Sequence, residues 1–302
     1  MKNSKLVTII IPTFKRPKYL IRAITSVFNQ TYKNTEIIIV DDNGENTAYQ
    51  KETETILKSF IEQKKIKYIV HDKNRNGSAA RNTGIQASNG DFITFLDDDD
   101  ILYPQKIEKQ VKFLENNNKY GGVYTGFEII LNSKRLKGVT PHKEGNLQYD
   151  LLSTNWSIGT GSNPMFRREV FTNVGLFDIT FIRHQDIEFL VRFFRIYTIG
   201  VVPEILISRY IDDRDNKVNC KKLIQVKEKF LATFKEDIGN YEHNKQHIIL
   251  RAQYADIACH AMQEKEYKLA FNFYKKANSY KLLSLKIIAK AIAYGLFNYK
   301  VE

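Results

Sequence analysis

The chain has 302 residues, with 46 Lys/Arg against 34 Asp/Glu and a net charge of +12. That length holds one large domain or a main domain with an appendage, and the ordinary apolar content is enough to bury a core. Two cysteines, Cys220 and Cys259, exclude a disulfide framework, and no Cys/His spacing suggests zinc.

No uninterrupted apolar stretch reaches the length of a spanning helix, and Met1-Lys-Asn-Ser-Lys leads straight into a strand without a signal-peptide core. The expected location is therefore the cytoplasm. Residues 217–302 carry sixteen Lys/Arg against eight Asp/Glu, a net +8 that leaves +4 for everything before them. A basic tail behind a nearly balanced domain fits an anionic partner, or equally a solvated lysine-rich helical surface.

Leu6–Ile11 is an apolar, β-branched run stopped by Pro12, which predicts a buried strand. Pro17 suits a helix start, and Leu20, Ile24, Val27 and Phe28 recur at the helical period. Glu36–Val40 predicts a second strand, ending in Asp41 and Asp42. A helix over 47–63 and a third strand over Ile66–Val70 follow, then a turn at Asn74–Gly77 and a helix over Ser78–Ala87. Strands alternating with helices at this spacing predict parallel βαβ units. Phe92–Leu96 is the fourth strand. Pro104 starts a helix to about Leu114, and Gly121–Leu131 reads as strand. Residues 132–162 read as irregular and polar. A short strand and helix over 164–174 and an apolar helix over Ile187–Ile196 come next. Ile199–Ile207 carries Pro203, which predicts an edge strand. From Lys221 the chain reads as helical, and Tyr254–Ala277 has the spacing of a helical hairpin.

The fourth strand ends in four consecutive carboxylates, Asp97 to Asp100. Adjacent acids repel, and burying an unpaired one is costly, so the cluster is either a solvated turn or a cation site. Position favours the cation, because ligands of open α/β sheets gather at the carboxyl ends of the strands. Mg²⁺ and Mn²⁺ take oxygen ligands from a few carboxylates, water and substrate phosphate.

Five motifs in order, Thr8–Arg16, Ile39–Asp42, Gly77–Asn82, Phe95–Asp100 and Phe177-Asp178, together resemble the family 2 inverting glycosyltransferases with the GT-A fold. The likeness covers roughly residues 5 to 210. It implies an α/β architecture with a mostly parallel sheet: a GT-A domain over 1–216, followed by a helical basic extension over 217–302. It further implies a bacterial enzyme that moves a sugar from a UDP-sugar to a saccharide acceptor, often lipid-linked, in making capsular or other surface polysaccharide. A divalent cation, Mn²⁺ or Mg²⁺, would support the departing diphosphate. By resemblance Asp99 is the direct metal ligand, and Asp97 or Asp98 reaches the ribose or a metal-bound water. Asp42 corresponds to the uracil-reading acid, Pro12, Thr13 and Arg16 line the nucleotide pocket, and Arg81 neutralises a neighbouring acid or the diphosphate. Asp186 matches the general base; a helix cap is the competing reading. Trp156 and Gly161 sit where the family shapes its acceptor pocket.

Three departures stand out: Lys15 where Asn is frequent, Gln185 where Glu is usual, and no His after the last strand, where Asp212 or Asp213 substitutes or diphosphate and water complete the site. His142 and His184 carry no specific role. A nucleotidyltransferase is disfavoured because the loop after the first strand is not Gly-rich. The alternative class is a non-catalytic basic module for membrane or nucleic acid; dispersed basic residues and the absence of a reader motif argue against nucleic acid. The apolar stretch 282–297, with lysines interspersed, fits a helix lying on the anionic inner membrane, or one packed on its own domain or a second subunit in a homo-oligomer.

Overall fold

The computed structural model describes residues 4–155, 158–211 and 219–280. Trp156, Asp212, Asp213 and the stretch 282–297, all singled out above, lie outside the described residues. The chain divides into two compact units, Met1–Leu147 with Ser157–Asp213, and Gln148–Trp156 with Arg214–Glu302.

The first unit runs β1 (Val7–Thr13), α1 (Pro17–Phe28), β2 (Thr35–Asp41), α2 (Ala48–Glu62), β3 (Lys67–Val70), α3 (Gly77–Ala87), β4 (Phe92–Phe95), β5 (Ile101–Leu102), α4 (Lys106–Asn116), β6 (Gly122–Leu131) and β7 (Lys134–Val139). After α5 (Gln148–Leu152), which belongs to the second unit, come β8 (Met165–Arg167), α6 (Arg168–Asn173), α7 (Gln185–Phe193) and β9 (Ile199–Tyr210). Local chemistry explains the boundaries. Pro17 occupies the first turn of α1, where its missing N–H costs nothing. Thr47 caps α2 by accepting from Gln50 N, and Asn76 caps α3 by accepting from Ser78 N and Ala79 N.

The sheet order is β3-β2-β1-β4-β8-β6-β9-β5, with β7 beside the far half of β6. The pairs β1–β2, β1–β4 and β2–β3 are parallel, so Thr13, Asp41 and the residues after Phe95 emerge on one rim. Strand β8 is the antiparallel insertion between β4 and β6. One face of the sheet buries Val7, Ile9 and Ile11 under α1, α2 and α4, through Leu20, Ile24, Leu57, Ile107 and Leu114. On the other, Ile38 and Val40 meet Ala80 of α3. A Cβ at Gly84 would stand 2.3 Å from Ile10 Cγ2, so only glycine lets α3 lie this close to β1. Phe95, Phe166, Phe171, Phe177 and Phe189 continue that layer under α6 and α7, with ring centroids 4.6 to 6.0 Å apart.

Two expectations are corrected. Strand β9 is not an edge: it pairs with β6 on one side and the two-residue β5 on the other. Pro203 is tolerated because the register jumps there, from Thr125↔Val202 to Gly126↔Ile205, and the bulge asks no ladder N–H of the proline. The stretch 132–162 is not wholly irregular either. Strand β7 closes a tight hairpin with β6 through Asn132 and Ser133, both at positive φ, and α5 joins the helical unit. The α4 helix begins at Lys106, two residues after Pro104.

In the second unit α8 (Cys220–Thr233), α9 (Lys235–Gly239), α10 (His243–Gln263) and α11 (Tyr267–Tyr280) follow one another. The expected hairpin is α10–α11, packed through Ile257, Ala261 and Ala270 against Cys220. Lys227 is buried but satisfied, 2.9 Å from Gln253 Oε1 and 2.7 Å from Asp256 Oδ2. No helix among the described residues is long and apolar enough to cross a membrane.

Candidate active site

The acid turn leaves β4 at the rim, and its four carboxylates separate into two directions. One oxygen each from Asp97, Asp99 and Asp100 lies within 4.8 Å of the others. Asp98 turns away, accepting from Thr13 Oγ1 at 2.8 Å and Phe14 N at 3.4 Å. Splitting the acids relieves the repulsion that four side chains on one side would suffer. Burial, with the neighbouring charge of Asp99, pushes the Asp98 carboxyl up to about 7, against the pull of Arg16 and Thr13. The turn that precedes β8 braces the acid turn. Ser162 Oγ accepts from Asp97 N at 2.9 Å and donates to Asp100 Oδ2 at 2.7 Å, and Thr160 Oγ1 donates to the same oxygen at 3.0 Å.

Cations from three elements answer the acids. Arg16, between β1 and α1, donates to Asp99 Oδ2 at 2.6 Å and stands 3.5 Å from Asp98 Oδ1. Arg22 on α1 donates to the main-chain oxygen of Asp99 at 2.9 Å while stacking 3.7 Å over Tyr210 at the end of β9. Arg81 on α3 donates to Asp97 Oδ1 at 2.7 Å and to Gln185 Oε1 at 2.9 Å. Behind the turn Lys106 is fully buried, donating to Gln110 Oε1 at 2.9 Å. Burial lowers its pKa to about 7, with Asp100 opposing.

Asp186 lies in the first turn of α7, partly buried beside Arg81. It does not cap the helix: the N-cap position is His184, with a left-handed backbone and no side-chain cap, and Asp186 Oδ1 accepts from the adjacent Ile187 N at 3.0 Å. Burial raises the Asp186 pKa; Arg81 opposes the shift and Asp97 adds to it. A small cavity runs from Asp186 and Arg81 past Gly161 to Phe95 and Phe177. A Cβ on Gly161 would stand 3.6 Å from Asp186 Oδ2, so the missing side chain keeps the approach to that carboxylate open.

At the neighbouring rim, Asp42 is 3% exposed, and its N–H donates to Thr13 O. Its Oδ1 accepts from His71 Nδ1 at 2.7 Å and Arg75 N at 2.8 Å, and its Oδ2 from Asn74 Nδ2 at 2.8 Å. Asp41 is held by Asn43 and Tyr68, and burial raises its pKa against those bonds. Pro12 pairs with Val40 one residue before Thr13, bringing the loop of Arg16 alongside Asn43, whose Oδ1 accepts from Lys15 N at 2.7 Å.

The structure thus brings Thr13, Arg16, Arg81, Asp97, Asp98 and Asp99 into one connected group, with Asp186 and Gly161 adjoining through Arg81 and Asp42 through Thr13. Asp100, the last of the four acids at the end of β4, joins Asp97 and Asp99 in the trio. The roles that no sequence motif assigned are those of Ser162 and Thr160, which brace the trio, of buried Lys106, and of His71. Each becomes visible only when segments far apart in the chain are paired.

The sequence matches the family described as glycosyl transferase family 2 over residues 8–175. An uncharacterized glycosyltransferase of Rickettsia prowazekii is 36% identical over 213 residues, covering 69% of this chain and 64% of that protein. The Escherichia coli UDP-Glc:alpha-D-GlcNAc-diphosphoundecaprenol beta-1,3-glucosyltransferase WfgD is 31% identical over 182 residues, 60% of this chain and 66% of that one. This chain therefore spans just under two thirds of the Rickettsia relative's length. Among solved structures, Staphylococcus aureus TarS 1–349 in complex with UDP-GlcNAc superposes with a TM-score of 0.66 at 14% identity, over 97% of this chain and 89% of that one. The mannosyltransferase PcManGT of Pyrobaculum calidifontis, in complex with GDP-Man and Mn²⁺, gives 0.58 at 16% identity, over 99% and 89%. At these identities the structures establish a shared GT-A-like fold.

Proposed function

We propose, from the premise that this chain belongs to glycosyl transferase family 2, that it is a metal-dependent inverting enzyme that moves a sugar from a UDP-sugar to a hydroxyl of a lipid-linked saccharide. The product class we assign is bacterial surface polysaccharide. The observation that carries the reading is the acid trio, with Asp186 reached from it through the single guanidinium of Arg81. A UDP-sugar donor and a diphosphate-lipid acceptor are named for WfgD, and UDP-GlcNAc is bound by TarS.

Three converging carboxylate oxygens, backed by hydroxyl donors that hold Asp100 in place, fit a hard divalent cation such as Mn²⁺ or Mg²⁺. Asp97, Asp99 and Asp100 would hold it, with Asp99 the principal ligand, and when bound it supplies charge neutralisation for the leaving diphosphate. The chain's own residues do the rest. Thr13 and Pro12 shape the floor under the nucleotide, with Asp98 locking the Thr13 hydroxyl. Asp42 accepts from the uracil N–H. Arg16 and Arg81 present fixed guanidinium groups to the diphosphate. Asp186, at the open side of Gly161, takes the proton from the acceptor hydroxyl as its oxygen attacks the anomeric carbon from the face opposite the departing UDP, which inverts the configuration. A carboxylate whose pKa is raised by burial is the stronger base for that proton. The helical unit and the basic stretch that follows it would keep the enzyme at the inner face of the membrane that carries the acceptor.

The test is calorimetric titration of UDP, with GDP and CDP as controls, with and without Mn²⁺, on wild type and Asp99→Ala. Metal-dependent UDP binding that disappears in the variant supports the donor class and the metal site together. Absence of nucleotide binding to the wild type under every condition would overturn the reading.

A further inference from the structure

We infer that His71 is a positioning residue that sets the nucleotide specificity of this site by holding Asp42 with a single acceptor position left for the base. The inference rests on the UDP reading above and assigns a role to a side chain with no part in sugar transfer.

A carboxylate offers about four acceptor positions. At Asp42, three of them are taken: His71 Nδ1 and Arg75 N on Oδ1, Asn74 Nδ2 on Oδ2. One position on Oδ2 remains. Uracil presents an N–H at ring position 3, whereas cytosine presents a bare nitrogen lone pair there. A single fixed acceptor bonds the first and repels the second. A carboxylate free to turn would instead find other partners, and its discrimination would be diluted.

His71 is what stops the turning. It sits one residue past β3, and the parallel β2–β3 pairing, Asp41↔Val70, carries it opposite Asp42. Both of its ring nitrogens are engaged inside the protein, Nδ1 with Asp42 and Nε2 with Thr83, so it offers no polar atom to a ligand. With Nδ1 donating to the carboxylate, Nε2 accepts from Thr83 Oγ1 at 2.9 Å on α3. This line of bonds, Thr83 to His71 to Asp42, clamps the imidazole from both ends and fixes which nitrogen carries the proton. Asn74 and Arg75 come from the exposed loop after His71 and cannot replace a donor held between strand and helix.

The experiment compares UDP and CDP affinities of the full chain by calorimetry, with Mn²⁺ present, for wild type, His71→Leu, His71→Asn, Thr83→Val and Asp42→Asn. An asparagine amide lies where imidazole Nδ1 does, so His71→Asn keeps the donor while His71→Leu removes it. The expected result is a UDP-over-CDP preference in the wild type that falls roughly tenfold or more in His71→Leu. It falls less in Thr83→Val and is largely retained in His71→Asn. The ratio is the decisive readout, because a merely structural defect weakens both nucleotides alike. A His71→Leu protein that melts cooperatively yet keeps the wild-type ratio overturns the inference; if that variant does not fold, an unchanged ratio in Thr83→Val together with a lost one in His71→Asn does so. Asp42→Asn tests the underlying reading separately: wild-type preference surviving in that variant would mean Asp42 does not read the base, and the role of His71 falls with it.

Discussion

Arg81 holds Asp97 across a 2.7 Å hydrogen bond that joins helix α3 to the turn after β4. The same guanidinium bonds Gln185, the residue before Asp186. One planar fork therefore ties the acid trio to the carboxylate assigned as base, and it can do so only because its donors point in fixed, divergent directions.

Replacing that fork tests the tie. Arg81→Ala should cut transfer by about 10²-fold or more, since both developing charge and geometry lose support. Arg81→Lys should recover little, because one nitrogen replaces the two, Nη1 and Nη2, that separately reach Gln185 and Asp97 in a fixed fork. Steady-state rates of the two variants beside wild type make the comparison; a Lys variant close to wild type would show that charge alone matters.

Asp186→Ala should abolish transfer, a fall of about 10³-fold or more, while UDP binding stays within error. The acid limb of the wild-type rate profile should lie above the ordinary carboxylate range, because burial raises the Asp186 pKa and the base works only when deprotonated. Gln185→Glu adds a negative neighbour, disfavours the ionised form further, and should move that limb to higher pH. A pH–rate profile of wild type and Gln185→Glu would show it, and a limb moving the other way would reject the assignment.

Ser162→Ala removes the hydroxyl that donates to Asp100 and accepts from Asp97 N. Metal affinity should fall about tenfold with the fold intact, as expected for a group that orients a ligand without touching the ion. Mn²⁺ titration followed by UDP binding would measure it. An unchanged metal midpoint would mean Asp100 is braced well enough by Thr160 alone.

Lys106 gives a stability prediction with a definite sign. Its pKa is about 7 in the folded chain against 10.5 for the free side chain. Between those values the unfolded chain binds the proton and the folded chain does not, so this group makes stability rise as pH rises, by at most about 1.4 kcal/mol per pH unit. Lys106→Met should be more stable than wild type near pH 7, and its advantage should shrink toward pH 10. Urea unfolding at pH 7 and pH 9 reads both slopes, and parallel slopes would sink the prediction.

Much of this site is legible along the chain because its parts are short and local. The run Phe92–Phe95 declares a buried strand, and four acids after it declare a turn that must be solvated or ligated. Pro12, Asp41 and Asp42 announce the ends of their strands in the same way. Pro203 misleads because a proline's cost depends on the partner strand: at the register jump opposite Gly126 there is no ladder bond for it to lose, so β9 sits inside the sheet.

By itself, then, the sequence determined the alternation of strands and helices, the rim on which the acids gather and the family of the chain, because hydrophobic period and turn chemistry act over a few residues. The tertiary structure decided which of the four acids converge, that Asp98 serves Thr13 instead, that Ser162 and Thr160 brace the trio from 60 residues away or more, and that His71 meets Asp42. Those contacts are set by strand pairing and close packing between distant segments, and a carboxylate or imidazole carries no mark in the chain of the partner that packing will bring to it.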